Sequence, residues 1–188
     1  MVLAAFVCAG CLFNNAPPTR YFAPPSAITA DDDPSAEPAG VRLIRLRRVH
    51  AAAYLGEQIV WRGSDVERGL YEQRRWTEFP SRYLDRAMQR ALDRTPGVRL
   101  VERGRVPTLD LELVSFDEIL APVHEADVTV IASLRDVEQR PLFERSFTAQ
   151  RAIADADPAS AARAMGMALD EVVQQIAAQV DAQTPPTR

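Results

Sequence analysis

Three long runs between Thr108 and Gln150 carry the pattern that most restricts the fold. In "TLDLELVSF", Leu109, Leu111, Leu113 and Phe116 mark one side while Asp110 and Glu112 point to the other, as in a half-buried strand. "ADVTVIASLRD", residues 126–136, repeats the alternation, and "VEQRP" joins it to "LFERSFTAQ", which predicts a long β-hairpin. A sheet of this kind buries one face only, so the chain must also supply a covering layer.

Two segments change to helical period and supply that layer. Pro80 and Ser81 open a run in which Tyr83, Leu84, Ala87, Met88, Ala91 and Leu92 recur at helical spacing, and Pro96-Gly97 closes it. Arg82, Arg86, Arg90 and Arg94 stand four residues apart and predict a solvated stripe on the other side. A second helix is expected from about Pro158 to Gln183, with Ala161, Met165, Ala168, Leu169, Val172, Ile176 and Val180 on one side and Asp157-Pro158 as cap and first turn. Shorter strands are expected in "VRLIRLRRV" from Val41, at Gln58–Arg62, at Val66–Tyr71 after a Gly63-Ser64-Asp65 turn, and at Val98–Glu102. The result is an α/β sandwich, its sheet largely antiparallel and covered by two amphipathic helices.

At 188 residues the chain suits one domain. That domain is read as residues 41–183, with 184–188 as a tail. Residues 11–40, including "APPTRYFAPPSAITADDDPSAEPAG", hold too few large apolar side chains to form a core and read as a linker. Extended, a linker of about 27 residues reaches roughly 80 Å. Tyr21-Phe22 is the part of it suited to docking as an early strand.

"FVCAGCLF", residues 6–13, contains both cysteines, Cys8 and Cys11. Cys-x-x-Cys spacing permits a redox pair, half of a metal site, or a lipid attachment point. A redox pair belongs at a strand-to-helix junction, not behind a terminal apolar run. A metal site needs more soft ligands than the isolated His50 and His124 provide, so no metal or cofactor is expected. The uncharged run 1–10 ending in Ala9-Gly10 directly before Cys11 resembles the lipobox of bacterial lipoprotein signals, with Cys11 as the lipidated residue. The basic start of such a signal is missing, and Cys8 replaces the usual leucine, so Met1 is expected to lie within a longer signal peptide. The absence of cysteine after Cys11 suits an exported domain that folds without disulfides.

Every one of the 22 basic residues is arginine. Residues 41–105 hold fifteen arginines against eight acids, and residues 106–188 hold six against fourteen. Such asymmetry either marks a basic face or is neutralised where the halves interleave. The net charge of −4 and the lipobox argue against a nucleic-acid partner.

The sequence carries no nucleophile elbow and no phosphate-binding glycine cluster among its eight glycines. Asp110/Glu112, Asp117/Glu118 and Glu125/Asp127 are nominal acid–base pairs, but each reads as a solvated strand face or loop end. His50, at a strand end, and His124, after Pro122, read as exposed rings. No enzymatic activity is expected. The stretch that stands out is "GLYEQRRWTEFPSRYL", residues 69–84, with aromatics around an Arg-Arg pair at a strand-to-helix corner. Trp76 and Phe79 are suited to staple the helix start to the sheet. Tyr71, Arg74 and Arg75, and with them Trp76, are the candidate partner-binding residues, because Tyr, Trp and Arg are enriched at binding hot spots.

This corner, "RRWTEFPSRYLDRAMQRAL", set between a leading sheet and a hairpin followed by a terminal helix, resembles the auxiliary lipoproteins of ABC-type transport systems, the relatives of PqiC. The resemblance covers about residues 41–182, and the lipobox at Cys11 agrees with it independently. It implies a three-layer α/β sandwich with a mixed sheet, similar to anticodon-binding-like folds, and brings no catalytic residues. It implies a periplasm-facing lipoprotein working beside an MCE-domain protein and an ABC permease and ATPase in moving lipid or apolar solutes between the two membranes. Leu12, where a retention signal would place Asp, makes the outer membrane the expected anchor site, and homo-oligomerisation is left open. A structural envelope lipoprotein with no transporter is the alternative.

Overall fold

The computed structural model describes residues 17–28 and 40–184. The strands are β1 (Arg20–Phe22), β2 (Arg42–Leu46), β3 (His50–Ala51), β4 (Gln58–Arg62), β5 (Arg68–Trp76), β6 (Val98–Leu100), β7 (Thr108–Ile119), β8 (Glu125–Arg135) and β9 (Pro141–Ala152). The helices are α1 (Pro80–Arg94) and α2 (Pro158–Gln183).

All nine strands form one mixed sheet built around β7. On one side β7 pairs antiparallel with β8, which pairs antiparallel with β9. On its other side lie β2, β3 and β4 in succession, all parallel to it. The chain from Arg42 to Arg62 thus runs along β7 as one interrupted strand. Beyond it β6 adds to β2 in parallel, β5 adds to β4 antiparallel, and β1 adds to β5 in parallel.

A β-bulge between Leu113 and Ser115 explains how Leu109, Leu111, Leu113 and Phe116 share a face despite the three-residue final step. All four are buried, as are Val128, Val130, Ala132 and Leu134 on β8. The intervening positions Glu112, Ile131 and Ser133 are exposed or half-buried, so the sheet has one apolar and one wet face.

Both helices cover the apolar face. Pro80 sits in the first turn of α1, where no backbone donor is needed. Asp157 caps α2, its side chain accepting from the Ala159 N–H at 3.2 Å. Every apolar position expected on the two helices is buried. Because α1 and α2 pack side by side, the fold has two layers and not the three that the resemblance implied. Among the described residues no helix covers the outer face of the sheet.

The segment read as linker belongs in part to the domain. β1 lines up with β5, and the Thr77 N–H donates to the Phe22 carbonyl at 2.9 Å. Residues 23–28 then cross the helices as a strap. Asp170 on α2 accepts from the Ser26 hydroxyl at 2.8 Å and the Ala27 N–H at 2.6 Å. Pro25 lies so close over Gly166 that a Cβ there would come within 2.1 Å of its carbonyl oxygen. Ile28 is buried in the α1–α2 groove, 5% exposed. Residues 20–28 therefore pack as part of the domain, ahead of the start expected at Val41.

Two further boundaries move. β5 begins at Arg68 and runs to Trp76, leaving Val66 96% exposed in the turn before it. Its far end is held because the Trp76 N–H donates to the Glu57 carbonyl at 2.6 Å.

Candidate functional site

The unequal charge of the two halves is absorbed by pairing between them. Arg42 meets Asp181, Arg47 meets Asp110, Arg62 meets Asp127, Arg68 meets Asp117, Arg74 meets Glu118 and Arg105 meets Glu138. Each joins an arginine of the first half to an acid of the second. Of the two alternatives the sequence offered, these pairs fit neutralisation by interleaved halves.

Three of those carboxylates lie in the interior, contrary to their reading as solvated pairs. Asp117, Glu118 and Asp127 are 0%, 4% and 3% exposed. Buried carboxylates are tolerated only when charge and lone pairs are both met. Asp117 accepts from Arg68 Nε at 3.1 Å and from the Tyr54 hydroxyl at 3.5 Å. Asp127 accepts from the Ser115 hydroxyl at 2.6 Å and from Gln150 Nε2 at 3.0 Å, with Arg62 at 3.3 Å. Glu118 faces His124 Nε2 at 2.8 Å and Arg74 at 3.7 Å. His124 is thus engaged with Glu118, while His50 is exposed on β3. Both carboxylate oxygens of Asp127 are taken, and the cluster reads as a lock between β4, β5, β7 and β8.

The four partner-binding candidates separate. Trp76 is 2% exposed and packs edge-on against Tyr83 of α1 and Phe116 of β7, with ring centroids 6.3 and 5.2 Å away. It is a core residue, and its inclusion among partner contacts is corrected. Tyr71 is half-buried under Arg74, whose guanidinium lies 4.1 Å from the ring centroid. Burial, with Glu118 nearby, pushes the Tyr71 hydroxyl up to about 12. Burial raises Tyr54 as well, with Asp117 adding to it. Arg75, on the opposite alternation to Arg74, lines a surface concavity.

That concavity, about 380 Å³, is bounded by Tyr54, Gly56, Glu57, Gln58, Leu70, Arg75 and Phe79. Phe79 is 52% exposed and does not staple α1 to the sheet; the buried neighbour Pro80 takes that place. Leu70 is 47% exposed, and Tyr21, paired in register with Arg75, is 62% exposed. Sequence reasoning placed Arg75 here but missed Tyr21, Tyr54 and Leu70, which arrive from three separate segments. Trp61 on β4 covers Gly69, where a Cβ would fall 2.2 Å from its ring. Cys8, Cys11 and the tail after Thr184 lie outside the described residues.

The described residues form a small mixed α/β domain with an exposed aromatic–arginine corner, entered through a strap laid across its two helices. The chain belongs to the family of ABC-type transport auxiliary lipoprotein components, which it matches over residues 25–177. No curated protein matches it. Among solved structures it is similar to protein XCC0632 from Xanthomonas campestris, at 23% identity and a TM-score of 0.73, covering 88% of this chain and 100% of that one. It is similar also to an uncharacterized protein at 16% identity and a TM-score of 0.63, covering 88% and 98%. A third, hypothetical protein CT253 from Chlamydia trachomatis, gives 10% identity and a TM-score of 0.53 over 76% and 97%. At these identities the structures speak for the fold alone.

Proposed function

We propose that this chain is a non-enzymatic, periplasm-facing accessory of an MCE-type ABC transport system that moves lipid or apolar solutes between inner and outer membranes. The observation that carries the reading is the family match, which runs from Pro25 in the strap to Ala177 in α2 and takes in α1 and every strand but β1. Lipidation at Cys11, with Leu12 after it, anchors the chain in the outer membrane. One acyl chain binds marginally and two or three hold stably, at about 0.8 kcal/mol per buried methylene. Anchoring confines the domain near its partners, so modest intrinsic affinity suffices. Engagement of Asp117, Glu118 and Asp127 in ion pairs supports a role without acid–base chemistry.

The test is expression of the full-length gene in a Gram-negative host with labelled palmitate, beside Cys11→Ala and Cys8→Ala. The expected result is that Cys11→Ala alone loses label and leaves the membrane fraction, and that wild type co-purifies with an MCE-domain protein at high salt. An unlabelled wild type, or a labelled one that captures no transporter component, defeats the reading.

A further inference from the structure

We propose that the corner formed by Tyr21, Leu70, Arg75 and Phe79 is a membrane-docking surface that rests on the lipid headgroups of the bilayer holding the anchor. The proposal deepens the reading above and depends on the anchor at Cys11. Its first support is covalent. Tyr21 follows Cys11 by ten positions, so it lies at most about 35 Å from the lipidated residue. The corner is therefore where the tether enters the domain, and it is the part of the surface that the tether holds nearest the bilayer.

The second support is the chemistry of the corner. Tyr21, Phe79 and Leu70 are 62%, 52% and 47% exposed, and Leu70 and Phe79 share one concavity with Arg75, the register partner of Tyr21. A contiguous exposed apolar patch marks an interaction site. Tyrosine and other amphipathic aromatics favour the headgroup level of a membrane, and the arginine fork matches phosphate oxygens. Arg75 is the cation lining the concavity, and Glu57 is the one acid. The patch is also rigid. Tyr21 and Arg75 are fixed by β1–β5 pairing, and Phe79 sits at the N-cap of α1, so little ordering opposes docking. A water-soluble partner protein would also fit an aromatic–arginine rim, but the tether favours the bilayer.

The experiment uses the full-length lipidated protein in vesicles of phosphatidylethanolamine and phosphatidylglycerol. With the signal removed and the Cys11 sulfur held in a diacylglyceryl thioether, Phe79→Cys introduces the single free thiol, which carries an environment-sensitive fluorophore. Asp93→Cys is the control, an exposed position about 20 Å further along α1. The expected result is blue-shifted emission at position 79, quenched by lipids brominated on their acyl chains, with neither effect at position 93. Adding Arg75→Glu is expected to reverse the shift. Equal quenching at both positions overturns the proposal. So does water-like emission at position 79 in protein that floats with the vesicles, and this outcome leaves the anchor standing. If that emission then shifts only on adding an MCE-domain protein, the corner docks protein and the proposal is overturned in that direction. Protein that does not float overturns the anchor and the docking surface together.

Discussion

Asp117 on β7 and Asp127 on β8 are direct cross-strand partners, and both are buried. Like charges directly opposite in a sheet repel by up to about 1 kcal/mol. Here Arg68 serves Asp117 and Arg62 serves Asp127, so each charge has its own cation at 3.1 and 3.3 Å. Removing one aspartate relieves the repulsion but strands a half-buried arginine, the Ser115 hydroxyl and the Gln150 amide. Breaking a buried pair costs about 3–5 kcal/mol, which outweighs the relief. Asp127→Ala is therefore expected to destabilise by about 3 kcal/mol in urea unfolding. Arg62→Ala added to it should cost less than the sum of the two singles, and simple additivity would mean that the pair is not coupled.

Neighbouring residues at the corner are expected to behave oppositely. Trp76→Ala empties a site between Tyr83 and Phe116 and should cost about 3–5 kcal/mol. Arg75→Ala removes a side chain from the rim of a surface concavity and should stay within about 0.5 kcal/mol of wild type. Thermal unfolding of the two variants side by side decides it. A large loss for Arg75→Ala would show that it is a structural residue.

The helices and long strands were legible because their information is local. The α2 bounds follow from Asp157-Pro158 and an apolar period that never breaks, and the three-residue step from Leu113 to Phe116 already contained the bulge. What escaped depends on distant segments. β1 is three residues between prolines, and it exists because β5 offers an edge and Asp170, 144 positions after Ser26, takes the strap. Asp117 looks like any solvated carboxylate until Arg68 arrives from 49 residues upstream. At the corner the aromatics were visible as a group, but inside and outside were not, because the period changes from two to 3.6 between Trp76 and Pro80.

The strap can be tested at Gly166. In an ordinary helix interior Gly→Ala gains about 1 kcal/mol. Here the new Cβ would fall 2.1 Å from the Pro25 carbonyl oxygen, and backbone on both sides has little room to yield. Gly166→Ala is expected to displace residues 23–28, so the Ala27 amide, bound to Asp170 in the native fold, loses hydrogen-exchange protection. Amides of the β7–β8 ladder should keep theirs. Unchanged protection at Ala27 would mean that the strap is not seated on α2 as described.

High pH provides the last test. The Tyr71 hydroxyl is raised from 10.0 to about 12, first by burial and then by the charge of Glu118, with Arg74 partly opposing both. The folded state therefore keeps this proton where the unfolded chain has lost it. By linkage, the contribution of Tyr71 to stability is fully present below pH 10 and is lost as pH rises from 10 through about 12. Tyr54, also raised, contributes in the same direction, so the comparison must isolate one ring. Tyr71→Phe keeps the face on which Arg74 stacks and removes the titration. Its stability should fall less steeply than wild type across that window, and its tyrosinate absorbance should lack the late-titrating component. Parallel stability curves for the two proteins would mean that Tyr71 ionises as freely in the fold as in the open chain, and that the Tyr71–Glu118–Arg74 arrangement does not hold.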